Sequence, residues 1–100
     1  MITHVVTFKL VDAGDEHVAH CKSLLDGLLG RVPSLRSMLV GVNVVDSPRA
    51  HDLALIATFD DLAGLEAYQV HPDHQEVSTY LRHAAEVIVS VDFEVSGSGS

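Results

Sequence analysis

The sequence predicts a small α+β domain built in the order βαββαβ, with a four-stranded antiparallel sheet and helices on one of its faces. Three observations carry that reading. Runs of β-branched residues with two-residue alternation lie near both ends of the chain, two further strand-like runs are joined by a polar turn, and apolar residues recur at three- and four-residue spacing between them. The spacings differ because successive side chains change faces in a strand but rotate by about 100° in a helix.

Ile2 to Leu10 is the first predicted strand, with His4, Val6, Phe8 and Leu10 on one side and Thr3, Val5, Thr7 and Lys9 on the other. After a break at Asp12-Ala13-Gly14-Asp15, the residues Val18, Cys21, Leu24, Leu25, Leu28, Leu29 and Val32 form one apolar stripe, predicting a helix that Pro33 stops. Arg36 to Val45 is dense in β-branched residues, and the turn Asp46-Ser47-Pro48-Arg49 leads into a third strand, Leu53 to Phe59, so the two form a hairpin. Asp60 or Asp61 is placed to cap a helix that carries Leu62, Leu65 and Tyr68 inward, because a short carboxylate accepts from unpaired first-turn amides. Proline disfavours helical geometry at the residue before it, so a second helical piece is expected from about Pro72, with His74, Val77, Leu81 and Ala84 on one face. Val87 to Phe93 supplies the last strand, and the whole is a ferredoxin-like arrangement.

With 100 residues, 47% of them hydrophobic, the chain accommodates one compact domain, assigned to residues 1–95. A domain this small commonly needs a disulfide, a metal or a second subunit to be comfortably stable. Cys21 is the only cysteine and cannot form an intrachain disulfide, which fits a reducing, cytoplasmic setting and leaves self-association as the stabilising device. The 14 acidic against 6 basic residues give a net charge of −8, and the cations are scattered, which argues against nucleic-acid binding. No apolar run approaches the roughly 20 residues that span a bilayer, and the start of the chain reads as a strand rather than an export signal. Residues 96–100 have a flexible Ser/Gly linker composition and are left out of the fold.

Both sheet faces are apolar. One is expected to carry His4, Val6, Phe8, Met38, Val40, Val42, Leu53, Leu55 and Ile88; the other Val5, Leu39, Val45, Ile56, Val87, Val89, Val91 and Phe93. Two helices cover only one face, so the other predicts a two-fold homodimer that packs sheet against sheet.

The stretch from Tyr68 to His74 places a phenol and an imidazole on inward stripes of consecutive helical pieces, and His4 looks into the same space from the first strand. Three polar groups converging in an apolar setting outline a small-molecule pocket, here with Val6, Phe8, Leu55, His71 and Val77 as further binding residues. An imidazole accepts a proton near neutrality and a phenol stays protonated to donate to a carbonyl, so Tyr68 and His74 suit enolisation of a small apolar or aromatic carbonyl compound. His71 also suits a helix cap. The His71-x-x-His74 spacing matches a metal-binding pair, but no motif supplies a third or fourth ligand, and His17, His20, His51 and His83 are spread as surface residues would be; no metal is expected. No glycine-rich phosphate loop or dinucleotide fingerprint occurs, so no cofactor is expected either.

His4-Val5-Val6 with Phe8-Lys9, and Tyr68 followed by His71-Pro72-Asp73-His74, resemble the pattern of the stress-responsive A/B barrel family over residues 2–94. The resemblance implies a dimeric α+β barrel. It is also similar to cofactor-free plant polyketide cyclases of the olivetolic acid cyclase type, whose catalytic tyrosine and histidine fall at Tyr68 and His74. That implies an acid–base pair in which His74 removes a proton α to a carbonyl, Tyr68 hydrogen-bonds the oxygen, and His4 lines or orients the site. The first helix departs from the cyclase pattern, offering Cys21, Lys22 and Leu25 where the resemblance implies bulky aromatics, so the substrate need not be an alkylresorcylic precursor. Three functions are compatible with these residues: a cofactor-free cyclase, isomerase or monooxygenase-like enzyme, a binder of a small apolar ligand, and a stress-protective structural dimer.

Overall fold

The structure, a computed structural model, describes residues 1–96; most of the predicted Ser/Gly tail lies outside the described residues. Strand β1 (Ile2–Leu10) leads to helix α1 (Asp15–Asp26), the hairpin strands β2 (Ser37–Val42) and β3 (Leu53–Phe59), helices α2 (Leu62–Val70) and α3 (Pro72–Ala84), and strand β4 (Ala85–Glu94). The strands form one antiparallel sheet in the order β2-β3-β1-β4. The first and third strands therefore sit in the middle, where their alternating pattern is strongest: β1 buries Ile2, His4, Val6, Phe8 and Leu10, and β3 buries Leu53, Leu55, Ala57 and Phe59. Val18, Cys21 and Leu25 of α1, Leu65 and Tyr68 of α2, and Val77 and Leu81 of α3 close the core from one side.

Helix α1 is shorter than its apolar stripe predicts. It ends at Asp26 with Gly27 as its cap, and Gly30 then adopts φ 88°, the left-handed region that glycine enters without steric cost. Leu28 and Val32 are still buried, at 0% and 2% exposure, so a chain of tight turns delivers the residues that helical periodicity assigned to the helix. Strand β2 likewise stops at Val42, and Val45, expected on its outer face, lies in the following loop. Val42 is itself exposed, because it stands at the end of an edge strand, on an open groove that it shares with Val18 and Lys22 of α1.

The junction between α2 and α3 is built by two side chains. Asp61 Oδ1 accepts from the Gly64 amide at 2.8 Å and starts α2. His71, at φ −64° and ψ 134°, takes the extended backbone that a following proline requires, and Pro72 opens α3.

Among the described residues, no helix lies on the other face of the sheet. Leu39, Ile56, Val87, Val89, Val91 and Phe93 are all exposed there, Leu39 by 68% and Val91 by 63%.

Candidate functional site

The break at His71-Pro72 turns the last turn of α2 toward the first turn of α3, so Tyr68 and His74 meet although they stand six positions apart in the chain. Their ring centroids lie 4.2 Å apart with the planes at 48°. His4, from the centre of β1, stands edge-on to Tyr68 at 6.3 Å, and Phe59 packs against the phenol at 5.1 Å. Tyr68, His74 and His4 border a cavity of about 290 Å³ between sheet and helices, near the lower limit of ligand pockets. Its buried floor includes Val6, Phe8, Leu55, Val77, Leu25 and Leu81; its exposed rim includes Gln69, Arg82, Ile88 and Ser90.

Of the residues singled out in the sequence, His4, Val6, Phe8, Leu55, Tyr68, His74 and Val77 all line this cavity. His71 does not. Its Nδ1 accepts from the Asp73 amide at 3.1 Å, so the ring caps α3, the alternative its position before proline allowed. Sequence reasoning missed Ser78 and Arg82, which follow His74 at four-residue intervals and so lie along the same side of α3; that spacing was the available signal. It also missed Asp92. This residue stands opposite His4 in the pairing of β1 with β4, and the His4 Nδ1–H donates to its carboxylate.

Burial sets the protonation of the pair. Tyr68 is 1% exposed, and withdrawal from water pushes its pKa up to about 12, so it is an un-ionised phenol at neutral pH. Tyr68 is one of the residues that line the cavity. His74 is held below the ordinary imidazole range, chiefly by burial and further by the charges of His4, Arg82 and His71, against the opposing hydrogen bond to Gln69. Its Nδ1–H donates to the Gln69 carbonyl at 3.2 Å, which leaves Nε2 as the proton acceptor of a neutral ring. Cys21 behaves differently from a nucleophile: it is fully buried, and burial together with the Asp12 charge raises its pKa, keeping it a thiol. Among the described residues no three His, Cys, Asp or Glu side chains are grouped to hold a metal ion, and no helix is long and apolar enough to cross a membrane.

A four-stranded βαββαβ sheet with helices on one face, an apolar opposite face and a side pocket holding a phenol and an imidazole defines a ferredoxin-like α+β protein. The profile of the stress responsive A/B barrel domain matches residues 2–95, and the chain belongs to that family. It is 33% identical over 97 residues to an uncharacterised protein of Streptomyces coelicolor, covering 93% of this chain and 100% of that one. Among solved structures it is similar to a dimeric ferredoxin-like protein of unknown function from Thermobifida fusca, with TM-score 0.83 and 26% identity over 94% of this chain and 90% of that one. It is also similar to a dimeric protein of unknown function and ferredoxin-like fold from Bacteroides fragilis, with TM-score 0.78 and 28% identity over 94% and 95%.

Proposed function

We propose that this protein admits a small apolar or aromatic carbonyl compound to the cavity and enolises it, with Tyr68 and His74 as the acid–base pair and no cofactor. The observation that carries this reading is the meeting of the two rings at 4.2 Å on the wall of one cavity. His74 Nε2 takes the proton α to the carbonyl, and the C–H electron pair becomes the enolate double bond. The Tyr68 hydroxyl donates to the oxygen on which negative charge develops, the kind of interaction that gains strength in the transition state. Reprotonation at a different atom completes an isomerisation, and attack on a second carbonyl of the same molecule completes a cyclisation. His4, held by Asp92, orients the compound against Tyr68.

The working unit is a homodimer that covers the exposed outer face of the sheet. Support comes from the apolar side chains on that face and from the dimeric relatives.

Deuterium uptake at the benzylic carbon of phenylacetone, a neutral aromatic ketone, tests the chemistry by NMR. The wild type should accelerate exchange, and Tyr68→Phe and His74→Gln should each abolish most of the acceleration. Binding of the ketone without exchange would leave a non-catalytic binder, and no binding would leave the structural dimer.

A further inference from the structure

We propose that the ligand of this cavity is a carboxylic acid whose carboxylate is held by Arg82 at the rim while its carbonyl lies against Tyr68 and His74. The inference rests on the pocket reading above and names the substrate class.

Arg82 borders the cavity and also the polar groove that adjoins it, formed with Gln69, His74, Gln75, Ser78 and Thr79. In an acidic chain a cation usually finds a carboxylate. Lys9, Lys22, Arg31 and Arg36 do so, with Glu86, Asp26, Asp73 and Asp60 respectively; among the described residues Arg49 and Arg82 do not, and of these two only Arg82 borders the cavity. The Arg82 guanidinium, among the described residues, reaches only the Thr79 hydroxyl, at 3.3 Å, which leaves most of its donors available. Among the described residues no acidic side chain lines the cavity, and the Asp92 carboxylate is engaged by His4.

Position along the helix completes the case. His74, Ser78 and Arg82 follow one another at four-residue intervals on α3, so their backbones span about 12 Å along one side of the helix. A compound with a carbonyl at one end, an apolar body and an anion at the other matches this order of an imidazole, a hydroxyl and a guanidinium above an apolar floor. A guanidinium at a partly open rim holds a carboxylate through paired hydrogen bonds while the rest of the molecule is withdrawn from water. The Arg82 charge also bears on His74, helping to hold that ring neutral.

Isothermal titration with 4-acetylbenzoate and with methyl 4-acetylbenzoate separates the contributions, because the two share an aromatic ketone and differ in the carboxylate. The wild type should bind the acid about tenfold more tightly than the ester at low salt, and added salt should erode the difference. Arg82→Gln should remove the preference by weakening the acid far more than the ester, and Arg82→Lys should restore part of it. Equal affinity for acid and ester, or a preference that survives Arg82→Gln, overturns the inference and leaves the pocket reading standing. If neither compound binds the wild type, the pocket reading fails and this inference with it.

Discussion

His4 and Asp92 face each other across the β1–β4 ladder, and the imidazole donates to the carboxylate at the edge of the cavity. His4 is 8% exposed, so removing its partner leaves a polar ring poorly satisfied in an apolar setting. Asp92→Ala should cost about 1–2 kcal/mol of stability, and chemical denaturation reads it directly. A loss below about 0.5 kcal/mol would place the pair among surface contacts of no consequence.

Tyr68→Phe keeps the ring against Phe59 and His74 while deleting only the hydroxyl. Deuterium exchange into phenylacetone should fall about a hundredfold, the usual loss for one donor to a developing oxyanion, while ketone affinity changes little. A matched fall in affinity and rate would assign the hydroxyl to binding alone.

The same reaction should depend on pH through His74. Its pKa is lowered, so the ring remains a neutral base below the ordinary imidazole range, and the exchange rate should fall only as pH drops through that depressed value. Stability follows the same direction. The unfolded chain protonates this histidine first, at about pH 6.5, so the contribution of the neutral, half-buried ring is complete above that pH and is lost as pH falls through the folded-state value. His74→Gln should flatten this part of the stability profile, and denaturation midpoints between pH 7 and pH 5 would show it.

Sedimentation should give about twice the mass of the 10.7 kDa chain. Val89→Asp or Val91→Asp places a charge in the apolar outer face and should dissociate or unfold the protein. A stable wild-type monomer would mean that some other partner covers those valines.

The fold was legible because its strongest signals are local. The alternation along β1 and β3, the cap at Asp61 and the break at Pro72 each follow from residues within a few positions of one another. Helix α1 was overextended because Leu28 and Val32 are apolar at helical spacing yet reach the core through turns, and periodicity records burial rather than backbone shape. Within the candidate site, Tyr68, His74 and His4 announced themselves by residue type and by face. Asp92 did not, since its place opposite His4 depends on a strand register that pairs residues 88 positions apart. Arg82 reads as an ordinary exposed cation until the groove beside it is seen.

Strand β4 sends Ile88, Ser90 and Asp92 toward the cavity and its helices, and Val87, Val89, Val91 and Phe93 the opposite way. The parity of a residue's position thus decides which task it can affect. Under the proposed function, even-numbered changes should retune what the cavity admits and odd-numbered ones what packs on the outer face, so each property should drift without dragging the other along. A single inserted residue near the start of this strand would exchange the two sets at once.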